Sequence, residues 1–216
     1  PVHMNRFPDG IEGKSFYQRR AKEDAPDWIP RVRFDDEEEP EDYMLCNERD
    51  ALLWFANQGS IDLHPWMSRH QTPDSPDYTV IDLDPKQAPF ADVVRIARAL
   101  GKLLVGIGLR PLLKTSGKTG LHVVTPLVPG YRYDQARGFA EAVARVVAHE
   151  HPDIATVERA ISEREGKVYV DFGQNARGQT VVPPYVVRPV PGATVSMPLD
   201  WDELSTDLTP ALFTIR

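Results

Sequence analysis

Between Tyr78 and Phe172 the chain spells out an order of elements that few folds accept. An apolar strand over Tyr78–Asp84 leads to a helix over Phe90–Gly108, whose apolar side carries Val93, Val94, Ile96, Ala97, Leu100, Leu103 and Leu104. Two strands, Pro111–Thr115 and Leu121–Leu127, flank a glycine-bearing loop. A second helix runs from an Asp134 cap to about His149, and Lys167–Phe172 reads as a further strand. Strands joined by so short a loop pair as an antiparallel hairpin; a parallel pair needs a long crossover. The pattern favours an α+β fold over a doubly wound parallel sheet.

The flanks fit the same picture. Up to Phe34 there are short β-like pieces broken by Pro8, Gly10, Gly13, Pro26 and Pro30. Tyr43–Cys46 reads as a strand. Asn47 is then placed to cap a helix whose apolar face is Ala51, Leu52, Trp54 and Phe55 and which ends before Gly59. Ile61–His64 alternates as a strand does, and Tyr185–Arg188 reads as another. Trp201 and Phe213 are the expected anchors of the C-terminal stretch.

Composition removes several classes of function. No apolar run approaches the roughly 18 residues of a membrane span, so no membrane partner is expected. The opening, PVHMNRFPDG, puts Arg6 and Asp9 where a signal peptide would be apolar. The single cysteine, Cys46, excludes a disulfide framework and a cysteine-based zinc site. These features point to a reducing, cytoplasmic location. The first methionine is Met4, which reads as a trimmed chain. The net charge of −7 comes from one place. The run Asp35, Asp36, Glu37, Glu38, Glu39, Pro40, Glu41, Asp42 contains no base, and without it the acids equal the 25 lysines and arginines. The run is expected to be a solvated hairpin tip. Local patches, not global charge, must identify a partner.

Three places carry chemistry. In Val80-Ile81-Asp82-Leu83-Asp84-Pro85, period two puts Asp82 and Asp84 on one face and Ile81 and Leu83 on the other. Paired carboxylates repel unless water screens them or a cation sits between them, and such oxygens suit Mg²⁺ or Mn²⁺. Val168-Tyr169-Val170-Asp171 also ends an apolar strand on an acid, so three carboxylates could form one metal cluster. Each pattern alone also fits an exposed strand end. Lys114–His122 holds Gly117-Lys118-Thr119, yet Leu112 stands where the first glycine of a P-loop belongs, and a β-like run follows where a helix should. What is left is a loop of NH groups, lysines and hydroxyls that can cradle phosphates, or a plain surface turn. Arg6, Phe7, Phe16, Tyr17, Arg19 and Arg20 interleave bases with aromatics, as a nucleic-acid face or an amphipathic hairpin does.

The order of these pieces is more telling than any one of them. Arg-Phe-Pro-Asp-Gly (6–10), Ser-Phe-Tyr-Gln (15–18), Leu-His-Pro-Trp (63–66), Asp-Leu-Asp-Pro (82–85), Thr-Ser-Gly-Lys-Thr-Gly-Leu-His (115–122), Val-Asp-Phe-Gly-Gln-Asn (170–175) and Pro-Pro-Tyr-Val-Val-Arg (183–188) follow one another. This succession resembles the polymerase domain of bacterial ligase D, in the archaeo-eukaryotic primase superfamily, over essentially the whole chain.

The resemblance implies a single primase-polymerase catalytic domain over 1–216, with an RRM-like antiparallel sheet bearing the acids and with the family's N-terminal segment missing. It implies that Asp82, Asp84 and Asp171 hold two divalent ions, Mn²⁺ or Mg²⁺, and that Ser116 and His122 contact the incoming nucleotide's phosphates. His64 would lie near sugar and triphosphate, Lys118 or Thr119 on phosphate, and Arg188 facing the triphosphate. Arg164 and Gln174 would be polar neighbours, with Phe16 and Tyr17 stacking on a base and Arg6 beside them. The implied activity is template-directed nucleotide addition to a DNA 3′-hydroxyl, ribonucleotides preferred, in gap filling or double-strand-break joining. The implied partners are primer-template DNA, gapped or broken ends, NTP or dNTP, an end-binding protein and a ligase, all in the nucleoid. Two departures stand out. The order Lys118-Thr119 puts no base next to Gly120, and lysines of the missing segment that grip a 5′-phosphate are absent. The residues also allow a metal-dependent sugar-nucleotide transferase, or a module that binds DNA or nucleotide without catalysis.

Overall fold

The computed structural model describes residues 1–22, 25–35 and 40–216. Most of the acidic run, 36–39, lies outside the described residues. Of its flanks, Asp35 and Asp42 both stand near Arg33, and Glu41 pairs with Arg20.

Three sheets form. The first has the order β2-β1-β5, from β1 (Val2–Arg6), β2 (Phe16–Gln18) and β5 (Ser60–Pro65). The second is the hairpin of β3 (Arg31–Arg33) and β4 (Asp42–Met44). The third has six strands in the order β11-β7-β8-β6-β10-β9. These are β6 (Tyr78–Asp84), β7 (Leu112–Thr115), β8 (Leu121–Pro126), β9 (Ala155–Thr156), β10 (Val168–Asp171) and β11 (Pro198–Leu199). All its pairs are antiparallel except β10 with β9. The expected α+β class and the hairpin around the glycine loop are both present.

Period two divides this sheet. Ile81, Leu83, Leu113, Leu121, Val123, Val168 and Val170 point to one face. There they pack with Val93, Ile96, Ala97, Leu100 and Leu104 of α2 (Phe90–Gly106) and Ala140, Val143, Ala144 and Val147 of α3 (Tyr133–Glu150). Burying this many aliphatic side chains, each worth roughly 1.5–3 kcal/mol, fixes the strand register. Trp201 packs against this core and donates its indole N–H to Pro111 O at 2.9 Å, and Phe213 also packs there. A second cluster, including Val2, Met4, Met44 and Phe55, ties the three-stranded sheet to α1 (Arg49–Asn57). Among the described residues no helix is long and apolar enough to cross a membrane.

Three local expectations are corrected. Helix α1 begins at Arg49 with Glu48 at the cap position, so Asn47 is one residue too early. Helix α3 begins at Tyr133, not after Asp134. Tyr133 is buried and bonded to Ser68 Oγ, while Gln135 Oε1 accepts the Arg132 N–H. Asp134 falls in the first turn, where its charge still favours the helix dipole. Tyr185–Arg188 is not a strand. Tyr185 has φ +66°, and the segment bonds irregularly to residues 194–196.

Candidate active site

The face of the six-stranded sheet turned away from the helices carries a row of ionisable side chains. Lys114 on β7 lies opposite His122 on β8, which lies opposite Asp82 on β6, which lies opposite Asp171 on β10. Directly opposed residues of an antiparallel pair share a face, so all four side chains emerge together. Asp84, two residues beyond Asp82, joins them. A cavity of about 390 Å³ opens over His122, Asp82 and Asp171 of this row, with Lys114 buried outside its lining. Asp82, Asp84, Asp171, His64, Ser116, Lys118, His122, Arg164, Gln174 and Arg188 all line it, so the structure brings together every carboxylate and nucleotide-contact residue expected from sequence. Thr119, Tyr169, Thr180, Val181 and Val182 line it as well.

The carboxylates are individually held. Asp171 Oδ1 accepts the Gly173 N–H at 2.7 Å and the Tyr169 hydroxyl at 3.2 Å. Asp84 accepts Arg164 at 3.2 Å and the Lys86 N–H at 3.2 Å, and the Arg164 guanidinium sits 3.9 Å over the Tyr169 ring. Asp82 Oδ1 stands 3.4 Å from His122 Nε2. Burial, with the charges of Asp171 and Asp84, pushes Asp82 up to about 7. Burial also pulls Lys114 down to about 7, against the opposing pull of Asp82. His122 is held well below its ordinary value by burial and then by Lys114 and Arg188, so it is neutral, and its buried Nδ1 has no partner.

The loop between β7 and β8 is shaped by two close approaches. Ser116 Oγ accepts the N–H groups of Lys118 and Gly120 at 3.2 and 3.0 Å. A Cβ on Gly120 would stand 2.0 Å from Leu83 O. Gly117 has φ +73°, and a Cβ there would stand 2.6 Å from Arg188 Cγ. Thr194 Oγ1 bonds Gly117 O, and Arg188 donates to Ser116 O at 3.2 Å. The C-terminal segment thus braces the loop from outside.

The donor set is hard oxygen, and Asp82 faces Asp171 across the strands, so its chemistry fits a Mg²⁺- or Mn²⁺-type ion that would relieve their repulsion. As placed, no three His, Cys, Asp or Glu side chains among the described residues are arranged to hold a metal ion, and Asp84 is engaged by Arg164. Asp82 and Asp171 are the first candidates to hold one, with Asp84 available once released by Arg164.

The expected DNA-contact residues lie outside the cavity lining. Phe16 and Tyr17 are 40% and 46% exposed on β2, which leaves ring surface for stacking. Arg6 and Lys22 stand 5.1 and 5.2 Å from the Phe16 ring centroid. The guanidinium of Arg6 makes three hydrogen bonds inside the chain, to Gln58 O, Gln58 Oε1 and Gln18 Oε1, so it orients Phe16 and the strand end. Tyr17 reaches the cavity rim through a hydroxyl contact to Thr180 at 3.2 Å.

Sequence reasoning gave Asp62 and Asn175 no role, and it put Lys114 among the lysines of a phosphate-cradling loop, whereas Lys114 is buried on β7 outside the cavity lining. Lys114 emerges only when the hairpin register is known. Asp62 shares the alternation of Ile61–His64 and could have been read as a same-face neighbour of His64. Asn175 bonds the backbone of Val80 and Phe172 and pins the 172–175 turn to β6.

A family model described as "LigD, primase-polymerase domain" matches residues 1–216. The chain is 36% identical over 217 residues to the bifunctional non-homologous end joining protein LigD of Bacillus subtilis, covering 99% of this chain and 34% of that protein. It is 35% identical over 210 residues to the multifunctional non-homologous end joining protein LigD of Pseudomonas aeruginosa, covering 95% of this chain and 25% of that protein. The chain therefore spans about a third and a quarter of these two relatives. A solved polymerase domain from Mycobacterium tuberculosis ligase D, in complex with DNA, matches with a TM-score of 0.89 at 30% identity, over 96% of this chain and 76% of that one.

Proposed function

Since this chain belongs to the family of LigD primase-polymerase domains, we propose that it adds nucleotides, under template direction, to a DNA 3′-hydroxyl during gap filling or the joining of broken ends. The observation that carries this reading is the cavity over His122, Asp82, Asp84 and Asp171. Its carboxylates come from β6 and β10. Its basic side chains are Lys118 of the β7–β8 loop, Arg164 of the turn before β10 and Arg188 of the C-terminal segment, with His64 on β5 beside them.

Two divalent cations held by Asp82, Asp84 and Asp171 would supply Lewis-acid activation of the 3′-hydroxyl and charge neutralisation at the leaving pyrophosphate. The chain's own part is binding and orientation. Lys118 and Arg188 offer positive charge, and the Thr119 hydroxyl and the NH-rich loop offer donors, where a triphosphate would lie. Neutral His122 can donate one hydrogen bond without adding charge. Gly173 N–H and the Tyr169 hydroxyl hold Asp171 in the row. Phe16 and Tyr17 would stack on a base at the duplex end. The solved Mycobacterium tuberculosis domain is in complex with DNA, which supports a DNA partner here. Preference for ribonucleotides and for Mn²⁺, action as one catalytic unit, and cooperation with an end-binding protein and a ligase belong to the same proposal. Nothing in the fold favours the sugar-nucleotide transferase reading.

Primer extension on a gapped, labelled duplex tests the reading, with ribo- or deoxynucleotides and Mn²⁺ or Mg²⁺, beside an Asp82→Ala/Asp84→Ala control. Templated addition by the wild type and none by the control is expected. DNA binding by both proteins with addition by neither would leave a binding module.

A further inference from the structure

Asp62 is a buried carboxylate for which the proposed reaction has no use. It lies on β5 two residues before His64, so both side chains leave the same face of the strand. It is 2% exposed. Its Oδ1, buried without a hydrogen bond, stands 3.1 Å from His64 Nε2, and its Oδ2 stands 3.5 Å from a terminal nitrogen of Arg188. The other terminal nitrogen of Arg188 donates to Ser116 O in the glycine loop. One carboxylate of the three-stranded sheet is thereby joined to a histidine beside it and, through an arginine of the C-terminal segment, to the loop of the six-stranded sheet.

A negative charge beside a polyphosphate site opposes anion binding by itself. A buried carboxylate is tolerated where cations surround it, and it in turn fixes those cations. Among the described residues, no other acid stands within ion-pair distance of His64 or Arg188. Both side chains also line the cavity, so their orientation there depends on Asp62.

We propose that Asp62 is a positioning residue for the incoming nucleotide, holding His64 and Arg188 in the arrangement that, with Lys118, receives the triphosphate. It touches no substrate itself. The inference rests on the reading of the cavity as a nucleotide site. Its consequence falls on nucleotide binding and not on the chemical step, because the reacting carboxylates lie on other strands.

Asp62→Asn keeps the volume and removes the charge. Calorimetry of the full chain with ATP, and with inorganic tripolyphosphate, is compared with steady-state primer extension. Both ligands should bind about tenfold more weakly, KM for the nucleotide should rise by a similar factor, and kcat should stay within about threefold. DNA affinity without nucleotide should not change. Combined with Arg188→Gln, the losses should be less than additive. Unchanged ligand binding would overturn the proposal, as would a fall in kcat at constant KM or full additivity. If Asp62→Asn does not fold, nitrogen NMR of the wild type gives a second test. If Asp62 holds His64, the Nε2 that faces its carboxylate carries a proton, and a bare His64 Nε2 would overturn the proposal. A wild type that binds ATP but does not extend a primer refutes the polymerase reading and leaves the Asp62 test intact. A wild type that binds neither ligand refutes both.

Discussion

The two faces of the six-stranded sheet are made by the same strands and behave as opposites. On β6, Ile81 and Leu83 enter an aliphatic core under α2 and α3, while Asp82 and Asp84 enter a polar cavity. On β8, Leu121 and Val123 face the core and His122 faces the row. The helix face gains free energy by excluding water. The open face gathers groups whose preferred charge states conflict, with an acid raised toward neutrality near a lysine lowered toward it. The core holds in register a row of charges that would not hold itself together.

The largest effects are expected at the open face. Asp171→Asn should lower single-turnover primer extension by about 10³-fold or more, roughly 4 kcal/mol of transition-state stabilisation, with the melting temperature nearly unchanged. Rapid-quench extension and a thermal melt check both halves. On the helix face, Leu121→Ala removes a fully buried side chain. It should cost about 2–5 kcal/mol of stability in a denaturant titration while the rate per folded molecule stays within a few-fold.

The folded pKa of Asp82 is raised from its ordinary 3.8 to about 7. Between these values the folded state holds the extra proton, so rising pH costs stability, and the cost is complete above about 7. Asp82→Asn should therefore raise the metal-free melting temperature at pH 8 and not at pH 3.5. Lys114 is lowered from 10.5 to about 7. There the unfolded state holds the extra proton, so rising pH restores stability between those values. The gain from Lys114→Met should be largest below pH 7 and vanish near pH 10.5. Melting curves of both variants without divalent ions should show these opposite slopes. The smallest effect belongs to the rim. Tyr17→Phe keeps the ring and loses the hydroxyl's contacts to His3 Nδ1 and Thr180, so stability should change by about 1 kcal/mol.

Much of this was legible in the sequence. Period two alone put Asp82 and Asp84 opposite Ile81 and Leu83, because a strand leaves no other choice. The short glycine loop dictated an antiparallel hairpin. The order of motifs assembled the rest of the cavity, from His64 to Arg188, though these residues come from five separate stretches of chain. What stayed hidden depends on tertiary register. Lys114 joins the row only through its pairing with His122, and Asp62 matters only because Arg188 arrives from far along the chain. The missed caps have a similar cause. Asn47 and Asp134 have the right side chains, but packing of Tyr133 and the path of the chain after Leu45 set the first turns elsewhere.

Asp82 and Leu83 are neighbours in sequence that point to opposite faces, and one paired measurement on them decides the matter. Single-turnover primer extension per folded molecule is compared for wild type, Asp82→Asn and Leu83→Ala, with a thermal melt of each. The account predicts that Asp82→Asn melts no lower than wild type and extends about 10³-fold more slowly, while Leu83→Ala melts lower and extends at nearly the wild-type rate. An Asp82→Asn protein that extends as fast as wild type would contradict it.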